Sequence, residues 1–508
     1  MEPAVDDLVA AELVEQVTFP HQPEWVFNHP LIRTVAYESQ LKSERAELHR
    51  RLAATIEQHD PASADENAAL IAEHLEAAGD LQAAYGWHMR AATWATNRDI
   101  TAARLSWERA RQIADAVPAD LERVAMRIAP RTMLCGTARR VHAHVADTSF
   151  DELRQLCDGA GDKASLTIAM AALVMDHAYQ GRMREASRLA SEAMTLIESV
   201  DDPTATVGLS FAPIFAKVHS AEWSDVLRWS QRVIDLADGD ASKGNFIIGS
   251  PLTVALATRA IARYALGRPG WREDLKRGLA MARSADPMSH ATVVSFVYYP
   301  GIVNGALAAD DQAVREIEVA LQNAERSGDD FALAFARVTL GVALVHRHTA
   351  GERDRGHDLL AEVSDVFRQW RYVLCELPLI DVYVARERAR RGDRDGAIPL
   401  MRAAVADLLR EGEPLASGIC ATGVLVETLL ERRAEGDVAE AKAAIERLTA
   451  APADEDMVGR EIWLLRLQAL LARARGEAAA YAQLRERYRD MARWLEFDGH
   501  IAWAQAMP

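Results

Sequence analysis

The sequence predicts an all-α fold, a right-handed superhelix of about ten stacked helical hairpins. Two observations carry this. Ala and Leu dominate the 508 residues and β-branched runs are scarce, so helix is favoured almost throughout. Short turns also recur at a nearly fixed spacing, each followed by an Ala-rich amphipathic stretch. They lie near Gly79, Asn97, Gly136, Gly181, Glu222, Gly267, Asp310, Gly351, Gly392, Gly436 and Gly476. From Gly136 on, the gaps are 45, 41, 45, 43, 41, 41, 44 and 40 residues. A period in this range marks stacked helical pairs, each burying an apolar face on the next. Such a stack is an interaction surface with no chemistry implied by its fold.

Residues 1–58 read differently from the rest. Asp6–Glu15 is a short amphipathic helix. Val17-Thr-Phe19 and Trp25-Val-Phe27 are β-prone runs around the turn-rich Pro20-His-Gln-Pro-Glu24, and a second helix runs from Pro30 through Leu52. Helix, hairpin, helix is the back half of a winged-helix domain, so this segment is expected to be a winged-helix remnant. Residues 59–67, within the polar run Gln58–Asn67, read as a linker, and residues 68–508 as the repeat array.

Within the array, Ala186, Leu189, Ala190, Ala193, Met194 and Ile197 share one helical face. The same spacing groups Ala397, Leu400, Met401, Ala404 and Leu408. Asp202-Pro203, Ser250-Pro251 and Asp286-Pro287 each set a capping side chain before a proline. The cap accepts from free N–H groups, and proline at the first helical position sacrifices no hydrogen bond. Pro213 and Pro300 fall inside expected helices and predict a kink at each; Pro300-Gly301 is alternatively a break in the array.

Composition excludes several function classes. A net charge of −17 argues against a nucleic-acid groove over the bulk of the chain. Cys135, Cys157, Cys375 and Cys420 form no CxxC pair, which suits buried thiols in a reducing cytoplasm. The acidic start, with Glu2, Asp6 and Asp7, predicts no secretory leader. No apolar run approaches the ~20 residues of a membrane span.

Motifs for chemistry fail on inspection. Gly161-Asp-Lys-Ala-Ser165 lacks the frame of a phosphate loop. Asp238-Gly-Asp-Ala-Ser-Lys-Gly244 starts like a calcium loop but has Lys243 at the sixth position and Gly249 at the twelfth. His142-x-His144 and His346-x-His348 would diverge on a helix, so neither is a ready metal site. No HExxH or GxSxG occurs. The run Arg386–Asp395 (RERARRGDRD) interleaves acids with its arginines and reads as a solvated helix end rather than a basic patch. Tyr85, Trp87, Trp94 and Trp107 read as core, or else as a pocket on the inner face. No catalytic residue, metal or cofactor is expected.

The segment Trp25-Val-Phe-Asn-His29-Pro-Leu-Ile-Arg33-Thr-Val-Ala36 is a strand entering a helix with His at the entrance. It resembles the "MHD"-type motif of STAND-class signalling ATPases, in which the His helps sense nucleotide phosphates. By that resemblance His29 is a vestigial nucleotide-sensing position. Pro30 departs from the Asp of the motif. Tyr37, Ser39, Arg45, Leu48, His49, Arg50 and Leu52 look like the end of the same domain in bacterial regulators. Asn67-Ala-Ala-Leu-Ile-Ala-Glu-His-Leu-Glu-Ala-Ala-Gly79-Asp80 resembles the start of their helical repeats. Gly79-Asp-Leu-Gln-Ala-Ala84 and Gly436-Asp-Val-Ala-Glu-Ala441 are similar to tetratricopeptide turns, although the period exceeds that repeat's length of about 34 residues.

The family so indicated joins a class III adenylate cyclase, an AAA/STAND-type ATPase and a tetratricopeptide-like tail. The cyclase and Walker motifs are absent from this sequence. The resemblance therefore implies a non-catalytic sensor or scaffold region that binds a partner protein or small effector on its concave face. The other reading is a stand-alone ligand-binding regulator acting in trans on a transcription or signalling partner.

Overall fold

The computed structural model of the chain describes residues 2–18, 23–59, 61–96, 98–117, 121–245, 249–454 and 457–507. The expected turn at Asn97 and most of the stretch Pro20–Glu24 lie outside them. The fold is all-α apart from one two-stranded hairpin among the described residues. The chain forms two compact units, Met1–Thr137 and Ala138–Pro508.

The first unit opens with the helix Glu2–Ala10 and the antiparallel strands Val14–Thr18 and Pro23–Phe27, with Gln16 opposite Trp25. Asp6–Glu15 is therefore not one helix. Glu12 takes a positive φ of 54°, which ends the helix, and Val14 turns into the hairpin with its side chain buried. The expected helix from Pro30 through Leu52 is likewise two, Pro30–Glu38 and Lys42–His59. At the break the Ser39 hydroxyl bonds back to the Ala36 carbonyl (2.9 Å), competing with helix propagation. The helices Ala68–Ala77, Leu81–Ala95, Ile100–Ala116 and Leu121–Gly136 then pack in sequence, each on the one before. Trp107 lies at their centre among Ala92, Ala95, Ala103 and Leu134, with Trp94 against the edge of the cluster.

The second unit is a two-row array of antiparallel hairpins. One row comprises Phe211–His219, Pro251–Ala265, Pro287–Val303, Asp330–Val345, Leu377–Arg390, Ser417–Arg432 and Val458–Ala474, each touching the next. Pro251–Ala265, Pro287–Val303, Asp330–Val345 and Ser417–Arg432 are apolar nearly all round. In Pro251–Ala265 even Thr253, Thr258 and Arg259 are buried. An all-round apolar helix must be covered on every side. Their partners, such as Met183–Ser199 and Trp271–Arg283, are amphipathic and bury one stripe, so they form the outer row. The predicted stripe Ala186, Leu189, Ala190, Ala193, Met194 and Ile197 is buried throughout. In Arg394–Glu411 the stripe fails at one place. Leu400 is 47% exposed, while Ile398 and Val405 are buried instead.

The start signals act as read from the sequence. Asp202 accepts from the Thr204 and Ala205 amides (2.8 and 3.1 Å), Ser250 from Thr253 (3.5 Å) and Asp286 from Ser289 (2.9 Å). The two prolines differ. Pro213 cannot donate to the Leu209 carbonyl, and the chain breaks there into Pro203–Leu209 and Phe211–His219. Pro300 sits inside the unbroken helix Pro287–Val303, so the array is not interrupted at Pro300-Gly301.

The inner row curls until its ends meet. Pro251–Ala265 packs on Val458–Ala474. Polar contacts run along this closure: Gln180 to the Arg371 carbonyl (3.2 Å), Arg184 to the Arg410 carbonyl (2.8 Å), the Ser224 amide to Asp454 (2.8 Å), and the His500 amide to the Gly305 carbonyl (3.0 Å).

Candidate functional site

The closure of the inner row leaves a narrow slot lined by Phe215, Trp223, Tyr264, Phe296, Tyr299 and Phe497, among other apolar residues. Its volume is about 90 Å³. An engineered apolar cavity of about 150 Å³ admits benzene. A ligand larger than one ring therefore needs the walls to give.

Three charged residues meet at the wall of the slot from distant parts of the chain. His219 is the last residue of Phe211–His219, the short helix that Pro213 sets apart. Glu376 closes the short 3-10 turn Leu374–Glu376. Glu413 follows Gly412, whose φ of 90° ends Arg394–Glu411 in a left-handed cap that favours glycine. There the Glu413 amide bonds back to the Leu408 carbonyl (2.9 Å). His219 Nδ1 is 3.0 Å from Glu413 Oε2, and its Nε2 is 3.5 Å from Glu376 Oε1. The Tyr299 hydroxyl donates to the other Glu376 oxygen at 2.8 Å. Exposures of 8, 2 and 2% for His219, Glu376 and Glu413 place the cluster out of bulk water.

Burial alone would lower the His219 pKa, but hydrogen bonds to Glu376 and Glu413, and their charges, outweigh it and raise it to about 10. The imidazole is an imidazolium at neutral pH. Glu413 is raised by burial, with Glu376 adding and His219 opposing. Burial, with Glu376 beside it, keeps the Tyr299 hydroxyl protonated. The cluster is thus a buried ion network held by hydrogen bonds.

Donor atoms of His219, Cys375 and Glu376 lie within 4.8 Å of one another, close enough for one cation. The donor set does not favour one. Both ring nitrogens of His219 already face carboxylates, and burial followed by the two glutamates pushes the Cys375 thiol well above its usual range. Thiolate and neutral imidazole are the forms a metal needs.

Two donors on the slot are unspent. Trp223 Nε1 is buried without an acceptor, and the buried Tyr264 hydroxyl lies beside Asn304 but makes no hydrogen bond of good geometry. Buried donors are seldom left unpaired, and a bound molecule is one way to satisfy them.

The residues singled out in the sequence lie elsewhere. His29 caps the helix Pro30–Glu38, its Nδ1 accepting from the Leu31 amide (3.2 Å), in an exposed position. Trp107 is core, and Trp87 carries Arg90 over its ring at 4.6 Å. His142 stacks on Trp370 (4.3 Å), whereas His144 bonds Asp176 (3.1 Å). All four cysteines are buried. Asp162, in the rejected phosphate loop, caps Lys163–Tyr179. The run Arg386–Asp395 divides. Arg388 and Arg391 pair with Asp393 and Asp354 at the surface, but Arg386 and Arg390 turn inward. The solvated-end reading therefore fails for Arg386, whereas Arg390 bonds inward while staying half-exposed.

Sequence reasoning missed His219, Glu376, Glu413 and Tyr299. A signal existed for two of them. His219 follows the apolar run Phe211-Ala-Pro-Ile-Phe-Ala216 with only Lys217 and Val218 between, and Glu376 sits alone in Tyr372-Val-Leu-Cys-Glu-Leu-Pro-Leu. A polar or charged group in an apolar run needs an internal partner when it is buried.

No protein-family model matches the chain, and no curated protein matches it in sequence. Two solved structures are similar in fold. One is a Rap protein complexed with competence and sporulation factor, at 11% identity and a TM-score of 0.38, covering 82% of this chain and 99% of that one. The other is yeast Tom70, at 13% identity and a TM-score of 0.33, covering 92% of this chain and 96% of that one. At these scores neither likeness bears on function. No helix among the described residues is long and apolar enough to cross a membrane.

Proposed function

We propose that the chain is a non-catalytic, ligand-binding helical array whose inner slot takes a small, largely apolar effector bearing one hydrogen-bond acceptor. One observation carries this reading: the apolar slot holds one buried donor without a protein acceptor, Trp223 Nε1, and a second, the Tyr264 hydroxyl, that has Asn304 beside it but no well-formed hydrogen bond. An apolar body would gain from burial, and the acceptor would fix its orientation. Binding would matter through its differential affinity for two states of the array. The His219–Glu376–Glu413 network bridges three distant segments at the same wall, so a ligand that moves the wall would strain it.

The test is displacement of an apolar fluorescent reporter by a panel of single-ring compounds with and without a carbonyl. Wild type is expected to prefer the carbonyl compounds. Tyr264→Phe should cut that preference roughly fivefold, the worth of about one hydrogen bond. Ser417→Phe, on the slot's rim, should abolish binding. Equal binding by wild type and Ser417→Phe would end the proposal.

A second observation supports the signalling context. Eleven of the sixteen exposed large apolar side chains among the described residues lie between Leu8 and Leu52, including Trp25, Phe27, Leu31 and Val35. A concentration of this kind marks a surface that another domain or chain covers. It suits the reading of residues 1–58 as a winged-helix remnant, followed by the 59–67 linker and the 68–508 array, working with a signalling ATPase or cyclase-type core. His29 lies on this segment. Under this reading a nucleotide would reach it only with a partner's ATPase core in place, and calorimetry with ATP on the chain alone should show no tight binding.

A further inference from the structure

The run Arg386–Asp395 leads to a second pocket, separate from the slot. Tyr383, Arg386 and Arg390 recur at helical spacing on one side of Leu377–Arg390, and Trp463 and Arg466 lie one turn apart on Val458–Ala474. With Arg347, Arg353 and Trp503 they line a cavity of about 480 Å³. That lies within the range of small-ligand sites.

Five guanidinium groups face this cavity and Glu427 is the one carboxylate on its lining. Arg466 uses Nε and Nη2 on Glu427 (2.9 and 2.7 Å). Arg347 is paired outward with Glu352 and Asp311. The other three share a single buried acid. Glu387 lies 2.6 Å from Arg390, 3.5 Å from Arg353 and 3.6 Å from Arg386. Buried Arg386 Nε reaches Glu387 only at that 3.6 Å, too long for a hydrogen bond, and Arg466 has the Tyr488 hydroxyl beside it as well as Glu427.

The bland explanation is that these arginines cap a helix. Arg386 and Arg390 do reach the Val345 carbonyl, at 2.9 and 3.1 Å, at the end of Asp330–Val345. A helix C-terminus carries only about half an elementary charge. Arg353 in turn bonds the Arg347 and His348 carbonyls (3.4 and 2.5 Å), which carry no net charge, so with Glu387 the helix end offsets the three guanidiniums only in part, in a chain whose net charge is −17. Burial, then Arg386 and Arg390, hold His346 well below its usual pKa, and burial, then Arg390, lower Arg386 to about 10. The aromatic rings stiffen the site: Arg386 stacks on Tyr383 (4.6 Å) and Arg466 on Trp503 (5.1 Å).

We propose that this pocket binds a compact organic polyanion through Arg353, Arg386, Arg390 and Arg466. Planar guanidinium forks take phosphate and carboxylate groups alike, so the shared chemistry is a cluster of anionic oxygens.

Isothermal titration calorimetry on the full chain tests this, with pyrophosphate, citrate and acetate as probes. Pyrophosphate or citrate is expected to bind saturably with a Kd below about 1 mM and to weaken as salt is raised. Acetate should not bind. Preference for pyrophosphate assigns a phosphate ester, and preference for citrate a polycarboxylate. Arg386→Met should abolish binding. Arg390→Gln, at a half-exposed position and so safer for folding, should weaken it roughly tenfold. Arg228→Gln, a surface pair elsewhere, and Ser417→Phe, on the slot, should leave it unchanged. The proposal is overturned if neither polyanion binds saturably, or if Arg390→Gln binds as wild type does.

Discussion

Removing the charge of His219 gives a sharp test of the buried network. In the unfolded chain a histidine titrates near 6.5. In the fold His219 is raised to about 10 by Glu376 and Glu413. A raised pKa contributes stability that is complete below 6.5 and is lost as pH climbs towards 10. Between pH 7.5 and 8.5 the unfolded imidazole is neutral and the folded one charged, so unfolding releases about one proton. The free energy of unfolding should then fall by about 1.4 kcal/mol per pH unit. The other shifted histidines, His49, His88, His142, His177, His290, His346 and His500, are lowered by burial and are already neutral in both states over this window. Buried Cys375 and Cys420 are raised above the window in the fold, whereas unfolded cysteines titrate at about 8.5, so they add a smaller slope that wild type and a His219 variant share.

The assay is urea unfolding followed by tryptophan fluorescence at several pH values, for wild type and His219→Gln. Midpoints are compared, because a helical array unfolds in stages. At an m-value of about 2–3 kcal/mol/M the wild-type midpoint should drop by roughly 0.5 M per pH unit. His219→Gln should keep only the shallower cysteine slope, so the difference from wild type reads His219, and Glu413→Gln should be intermediate. Parallel slopes for wild type and His219→Gln would refute the charged-histidine reading.

Three more outcomes follow from packing and pairing. A methyl group on Gly423 would overlap the Trp463 ring, so Gly423→Ala should cost about 1–3 kcal/mol by denaturant unfolding despite its better helix propensity. Buried Asp274 accepts from Arg259 (2.9 and 2.5 Å) and Arg263 (2.7 Å), and Asp274→Ala should destabilise by roughly 3–5 kcal/mol because buried Arg259 loses its counterion. Trp25→Ser with Val35→Ser should leave the thermal midpoint within about 2 °C of wild type, since both side chains are exposed, while raising the concentration at which the protein self-associates.

The parts of this protein legible in the sequence are those set by neighbours along the chain. The helical period, the caps at Asp202, Ser250 and Asp286, and the break at Pro213 each depend on a few consecutive residues. Helix formation and termination are local, so these features read directly. Local rules fared worse at the N-terminus. There Glu12 ends the first helix with a backbone conformation that most side chains avoid, and strand pairing claims Val14. Leu400 also escaped, because periodicity groups residues on a face but does not say where a neighbouring helix ends.

By itself the sequence determined an all-α array of hairpins and the absence of familiar catalytic motifs. The tertiary structure alone decided where charge is buried. His219 and Glu413 are 194 residues apart and meet only because successive hairpins turn the inner row back on itself. Arg386 and Arg390 look like solvated charges beside their acidic neighbours and become a cationic wall only when Val458–Ala474 faces them. The physical reason is that each crossing angle between helices is fixed by side-chain interlocking at its own interface. Small angles accumulate over many hairpins, so which distant residues meet depends on all the packing between them.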